Sequence, residues 1–76
     1  MNTSLFVGLC EDAGFEVEFN GSLIEVLTHK HTPVAVINEK ADSLYWINTY
    51  GTDREQAAAL SEIVVAYALT PIEERE

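Results

Sequence analysis

The spacing of apolar residues at the start of the chain predicts a short helix. Between residues 4 and 13, the apolar side chains recur at three- and four-residue intervals and form a single stripe. Thr3 or Ser4 is suited to cap the start of this helix, and Gly14 is suited to the left-handed residue that ends one. A helix over residues 4–13 is therefore expected.

A β-hairpin is predicted next. Residues 15–19 alternate between aromatic or branched apolar side chains and glutamates, which is typical of a half-buried strand. Asn20-Gly21 favours a two-residue type I′ turn. That turn would pair Phe19 with Ser22, Val17 with Ile24, and Phe15 with Val26. It would also set Glu16 opposite Glu25 on the polar face.

The second strand of this hairpin is followed by two more strands at short intervals. The second strand is predicted over residues 22–29, the third over residues 34–38 behind Pro33, and the fourth over residues 43–49. The connections between them are too short for parallel crossovers, so the sheet should be an antiparallel meander.

The last element is predicted to be a helix that begins at a capping box. Thr52-Asp53-Arg54-Glu55 has the spacing of that motif, with Thr52 as the cap. The helix should run to about Leu69 and end before Thr70-Pro71. Its apolar stripe consists of Leu60, Ile63, Val64 and Tyr67. The expected fold is α+β, one domain over residues 1–70 in which an N-terminal and a C-terminal helix flank a four-stranded antiparallel meander, with an acidic tail over residues 71–76.

The third and fourth strands carry apolar side chains on both faces. Val34 and Val36 would point one way and Ala35 and Ile37 the other, so two helices on one face would leave apolar surface uncovered. Such surface commonly marks a protein interface, most often a two-fold homodimer. The candidate interface residues are Leu23, Leu27, Ile37, Tyr45 and Ile47. The alternatives are one helix on each face, or ordinary surface apolarity.

Composition and charge narrow the function. The chain of 76 residues is 47% hydrophobic and has 13 acidic and four basic residues, for a net charge of −9. This charge repels nucleic-acid phosphates and anionic lipids, so neither is an expected partner. The simplest interpretation of the negative charge is that it keeps the protein soluble. The alternative is a function for the charge, in which the protein is an acidic decoy that docks on a basic nucleic-acid-binding protein.

The candidate chemistry is sparse. His29 and His31 alternate near a strand end, but a zinc site needs three or four ligands. Cys10 lies in the predicted helix stripe and is expected to be a buried structural thiol. Tyr45, Trp46 and Tyr50 could stack on bases, yet a base-stacking site also needs a positive groove. No catalytic, metal or cofactor site and no small-molecule substrate is predicted, so the expected protein is not an enzyme.

The expected location is the cytoplasm. One cysteine cannot form an internal disulfide, and the first residues lack the basic region of a signal peptide.

The last third of the chain resembles a known group of proteins. Tyr67-Ala68-Leu69-Thr70-Pro71, followed by Ile72-Glu73-Glu74-Arg75-Glu76, is similar to a segment in small proteins of phages and prophages of Gram-positive bacteria. The aromatic strand Leu44-Tyr45-Trp46-Ile47 before a capped helix is similar as well. The resemblance implies a small accessory protein that acts in the host cytoplasm by binding other proteins. It implies no functional residue.

Overall fold

The predicted order of elements is confirmed. The computed structural model describes all 76 residues and contains one helix, four strands and a second helix. The elements are α1 (Thr3–Asp12), β1 (Glu16–Asn20), β2 (Leu23–Leu27), β3 (Pro33–Asn38), β4 (Tyr45–Ile47) and α2 (Arg54–Ala68), followed by a 3₁₀ turn (Ile72–Glu74). Neither helix has the length and apolar composition needed to cross a bilayer.

The strands form one antiparallel sheet in the order β1-β2-β3-β4, which is the predicted meander. The hairpin register differs from the prediction by two positions, because Gly21-Ser22 forms the loop instead of Asn20-Gly21. Gly21 has a φ of 63° and Ser22 does not have a positive φ, which fits a type II′ turn with glycine first.

The new register pairs different residues but preserves the two faces of the hairpin. Val17 lies opposite Val26 and Phe19 opposite Ile24, whereas the prediction paired Val17 with Ile24. Because side chains alternate with a period of two, a two-position change leaves each residue on its predicted face. On the polar face, Glu25 lies opposite Glu18 and not opposite Glu16.

A β-bulge in β3 corrects the predicted direction of Val34. The register between β2 and β3 shifts at this point. Val26 pairs with Ala35, but the next residue of β2, Leu27, pairs with Pro33 and not with Val34. Val34 is the extra residue of the bulge, and both Val34 and Ala35 are buried in the core. The alternation predicted for β3 therefore holds only from Ala35 onwards.

Both helices pack on the same face of the sheet. Their core residues are Phe6, Cys10, Leu60, Val64, Tyr67 and Ala68. The sheet contributes Ile24, Val26, Ala35 and Ile37, which the register places on one face. The alternative of one helix on each face is wrong, and the other face of the sheet, here called the outer face, has no helix against it.

The helix caps are shifted from their predicted positions. Asn2 caps α1 by accepting from the Leu5 N–H at 2.8 Å. Asp53 caps α2 by accepting from the Gln56 N–H at 2.8 Å, so the predicted role of Thr52 as cap is wrong. Asp53-Arg54-Glu55-Gln56 has the same motif spacing one residue later, and the carboxylate also suits the positive end of the helix. The Thr52 hydroxyl instead donates to the Thr49 carbonyl.

The predicted second and fourth strands are too long. β2 ends at Leu27 because the Thr28 hydroxyl accepts from the N–H groups of Lys30 and Thr32, which closes a tight turn. β4 starts only at Tyr45 because Ser43 has a φ of 64° and its N–H donates to the Ala68 carbonyl of α2.

The C-terminal segment is part of the fold and not a solvated tail. Arg75 is only 3% exposed. Its guanidinium donates to the carbonyls of Thr70, Asn38 and Ala68 at 3.1, 2.8 and 2.9 Å. These contacts supply partners for carbonyls at the end of α2, where a cation is also favoured by the helix dipole. The boundary predicted at residue 70 therefore does not mark the end of the packed domain.

Candidate functional site

The outer face of the sheet is divided into an acidic half and an apolar half. Its central row runs from Glu18 on β1 through Glu25 and Val36 to Trp46 on β4. The acidic half is formed by Glu16, Glu18 and Glu25. The apolar half is formed by Leu23 on β2, Val36 on β3 and Trp46 on β4. Leu27 is separated from them, because it lies beyond Glu25 on β2 and pairs with Glu16 and Pro33.

The apolar half exposes a large aromatic side chain. Trp46 is 48% exposed and Leu23 is 39% exposed, and Val36 is half-buried. Leu27 is buried, although it does not belong to the core cluster that the helices cover, so it offers little surface for docking. Trp46 is the largest apolar side chain on the outer face.

The structure divides the five predicted interface residues between two faces. Leu23 and Leu27 lie on the outer face. Ile37 is fully buried in the core, so it cannot be part of a docking surface. Tyr45 and Ile47 share the face of Ile37; Ile47 packs against the core, and Tyr45 is 40% exposed at the sheet edge.

Val36 and Trp46 are the outer-face residues that the candidate set omitted. Because Ile24 pairs with Ile37, and Ile37 with Tyr45, the core face continues along that row. Assigning Ile24 to the core and following the pairs across the meander would have placed Val36 and Trp46 outside. The sequence identifies Val36 and Trp46 as outer-face residues only after one face of the hairpin has been assigned to the core.

The carboxylates of the acidic half lack strong cationic partners. The one contact with a basic side chain joins His31 Nδ1 to Glu16 Oε1 at 4.0 Å. Glu25 accepts a hydrogen bond of 3.3 Å from the amide of Asn20 and lies opposite Glu18. Two carboxylates facing each other across strands repel, which is tolerated because water reaches them.

A cleft lies at the opposite end of the sheet from the hairpin turn. Its volume is about 340 Å³, within the usual range for small-molecule sites. Three segments form its walls: the end of α1 at Gly14, the β2–β3 loop from Thr28 to Thr32, and the β4–α2 loop up to Gln56. Of its 12 lining residues, only two are hydrophobic. Nothing in the sequence pattern predicted this cleft, because it is assembled from three loops that are distant along the chain.

The two histidines point to different surroundings. His29 lines the cleft, with its Nε2 near Gly14. His31 has a φ of 63° and lies beside Glu16. No group of three or more His, Cys, Asp or Glu side chains is gathered as a metal site would require.

Cys10 is buried and chemically quiet. Its side chain is fully inaccessible. Burial raises the pKa of the thiol from 9.0 to about 12, and the nearby Glu11 carboxylate adds to the increase. Since the thiolate is the nucleophile, the neutral thiol is unreactive at physiological pH.

Comparison with known proteins leaves the function to be argued from this geometry. No family model, no curated protein and no solved structure matches the chain. The resemblance to phage and prophage proteins therefore stays a prediction. The fold alone places this protein in a structural class, that of small α+β domains. One face of its sheet carries acidic and apolar residues and is not covered by its own helices.

Proposed function

We propose that this protein is a non-enzymatic interaction module that forms a homodimer through the apolar half of its outer face. The observation that carries the proposal is Trp46, which is 48% exposed on a sheet face with no helix against it. A large exposed aromatic beside aliphatic groups is the kind of anchor that protein interfaces bury.

A second copy of the chain suits this face because of how its two halves are arranged. In a two-fold pairing, each residue of one copy can meet a different residue of the other. Trp46 of one copy would pack near Val36 and Leu23 of its partner. The glutamates of the edge strand β1, Glu16 and Glu18, would then lie at opposite rims in water, where repulsion between the two copies is screened.

The size of the face predicts a weak dimer. A sheet of four strands, about five residues long, spans about 19 by 17 Å, or roughly 300 Å². A standard interface covers about 800 Å² per partner. The folded chain also exposes 4668 Å², close to the roughly 4,600 Å² typical of a monomer of this mass. The dimer should therefore form from folded monomers and dissociate on dilution.

The proposed setting follows from the resemblance in the last third of the chain. Small phage-type accessory proteins act in a host cell by binding other proteins, and an exposed sheet face suits that role. The buried, neutral Cys10 thiol supports a role without covalent catalysis.

The test uses Trp46 as its own reporter, because it is the only tryptophan in the chain. Sedimentation velocity from low micromolar to millimolar concentration should show a monomer–dimer equilibrium. The Trp46 emission should shift to shorter wavelength over the same range as water leaves the indole.

Matched variants separate the proposed interface from general surface effects. Trp46→Lys should abolish dimerisation. Tyr50→Lys makes the same charge change at an aromatic residue that is fully exposed outside the sheet, and it should leave dimerisation intact. A strict monomer at millimolar concentration, or equal effects of the two variants, would refute the proposal.

A basic protein partner is a second candidate, favoured by the unpaired carboxylates Glu18 and Glu25. Such a partner would dock on the acidic half and bind less tightly as salt increases. The double variant Glu18→Gln, Glu25→Gln should weaken binding to a basic DNA-binding protein, whereas Glu55→Gln, Glu62→Gln on α2 should not. Binding that does not respond to salt would eliminate this candidate.

A further inference from the structure

The cleft has an electrostatic character opposite to that of the rest of the molecule. The chain contains 13 acidic residues among 76, yet none of the 12 residues that line the cleft is acidic. Lys30 and His29 both line it. Since Arg75 is buried elsewhere, Lys30 is one of only three basic Lys or Arg side chains left at the surface.

Three carboxylates directly adjoin lining residues along the chain, Glu16, Asp53 and Glu55, and the first two are already engaged. Asp53 follows the lining residue Thr52, but its carboxylate caps α2 by accepting from the Gln56 N–H. Glu16 follows the lining residue Phe15, and its carboxylate lies beside His31. None of the three belongs to the lining, and Lys30 has no carboxylate within ion-pair distance.

Two polar side chains of the cleft, Thr28 and Asn48, use their acceptor atoms within the protein and leave their donors free. The Thr28 oxygen accepts from the N–H groups of Lys30 and Thr32 at 3.3 and 3.2 Å. The Asn48 side-chain oxygen accepts from the Tyr50 N–H at 3.1 Å. What remains for a ligand is the Thr28 hydroxyl proton and the Asn48 amide N–H groups, which are donors.

Two residues on the α2 side offer acceptors instead. The Thr52 hydroxyl donates to the Thr49 carbonyl at 2.8 Å, so its lone pairs stay free. The Gln56 amide nitrogen donates to the Ala13 carbonyl at 3.3 Å, which leaves the amide oxygen free. The cleft therefore provides a cation and donors from Lys30, Thr28 and Asn48, and acceptors from Thr52 and Gln56.

We infer that the cleft binds a small molecule that carries a phosphate group and hydroxyl groups. Lys30, with the Thr28 and Asn48 donors, holds the phosphate, because charge-assisted hydrogen bonds to an anion are the strongest that such a site makes. Thr52 and Gln56 accept from the hydroxyls. The tight Thr28–Thr32 turn keeps the Thr28 hydroxyl in place before the ligand arrives, which limits the entropy lost on binding.

The test is a ¹⁵N NMR titration of the whole protein with ribose 5-phosphate, inorganic phosphate and ribose. The net charge of −9 opposes every anion at long range, so the salt is set near 0.15 M, where the screening length is about 8 Å. Ribose 5-phosphate should cause saturable shifts at Gly14, Gly51, the Thr28–Thr32 loop and the Gln56 side chain. It should bind more tightly than inorganic phosphate, and ribose should cause no saturable shift.

Matched charge variants decide whether Lys30 acts locally. Lys30→Glu should weaken ribose 5-phosphate binding by about tenfold or more, and Lys30→Arg should retain most of it. Lys40→Glu changes the net charge equally at a lysine outside the cleft and should have little effect. The inference is overturned if no phosphate-bearing probe gives saturable shifts, or if Lys30→Glu and Lys40→Glu weaken binding to the same extent. The result is independent of dimerisation, because Trp46 does not line the cleft.

Discussion

The guanidinium of Arg75 lies over the Tyr67 ring, 4.6 Å from its centroid. Phe6 stacks on the same ring with a centroid distance of 4.2 Å and an interplanar angle of 18°. Two groups at these distances must occupy opposite faces of one ring, so Tyr67 lies between α1 and the C-terminal segment. The three side chains form a continuous stack that joins both ends of the chain to α2.

Removing this guanidinium should destabilise the domain strongly. Arg75→Ala deletes three hydrogen bonds to carbonyls and the cation–π contact. The Ala68 carbonyl keeps the N–H of Ser43, but the Thr70 carbonyl loses the guanidinium as its donor. We expect the free energy of unfolding to fall by about 2–4 kcal/mol, measured by urea denaturation. Arg75→Lys keeps the charge but cannot bond all three carbonyls, so its loss should be intermediate.

Arg54→Ala is the control for this prediction. Arg54 is exposed at the start of α2 and has no acidic partner within ion-pair distance, so the loss should stay within about 0.5 kcal/mol. Equal stabilities of the two alanine variants would show that Arg75 does not clamp the fold.

The hydroxyl of Tyr67 should contribute separately from its ring. It lies 2.8 Å from the Thr3 hydroxyl, and Thr3 in turn donates to the Arg75 carbonyl at 3.0 Å. Tyr67 must then be the donor to Thr3. Tyr67→Phe should lower the free energy of unfolding by about 1 kcal/mol. A double-mutant cycle with Thr3→Val should reveal coupling, and strict additivity would contradict the hydrogen bond.

Two glycines should respond to alanine in opposite directions. A Cβ at Gly8 would meet nothing within 4 Å, so Gly8→Ala should stabilise α1 by about 0.5–1 kcal/mol. Gly21 has a φ of 63° in the hairpin loop, so Gly21→Ala should destabilise the protein by about 1–2 kcal/mol. Thermal unfolding measures both variants, and a stabilising effect of Gly21→Ala would argue against the type II′ turn.

Cys10 should make the protein less stable in alkali. Its pKa is 9.0 unperturbed and about 12 in the fold, so the unfolded chain loses its thiol proton first. The stabilisation is complete below pH 9 and is lost as the pH rises towards 12. The loss per pH unit is at most about 1.4 kcal/mol.

Comparing the wild type with Cys10→Ala isolates this effect from other alkaline titrations. The free energy of unfolding should fall less steeply with pH in the variant, even though its absolute stability is lower because of the cavity. Parallel pH profiles would mean that the thiol is accessible to water.

The order of elements was predictable because each one carries its own local periodicity. The hairpin register was not, since Asn20-Gly21 and Gly21-Ser22 both form two-residue loops and both keep Val17 and Phe19 on the same face. The α2 cap shows the same ambiguity, because Thr52 and Asp53 begin equally good motifs one residue apart. Local patterns specify the element but not its position to within one or two residues.

The apolar character of both faces of β3 and β4 was predictable, but the residues that lie on the outer face were not. In β3 and β4, both faces are apolar, so alternation cannot tell Val36 from Ile37 or Trp46 from Tyr45. Only the pairing of β3 with β2 decides which of these residues faces the helices. The contacts of Arg75 could not be predicted for another reason. Arg75 lies in an acidic run, and its partner Asn38 is 37 positions away along the chain.

The late position of Arg75 in the chain has a consequence for folding during synthesis on the ribosome. Synthesis proceeds from the N-terminus, and α1, the sheet and α2 can assemble as they emerge. Until residue 75 has left the exit tunnel, however, one face of the Tyr67 ring and the Thr70 carbonyl lack their partner. The nascent domain should therefore stay loose and sensitive to proteases until that one side chain arrives.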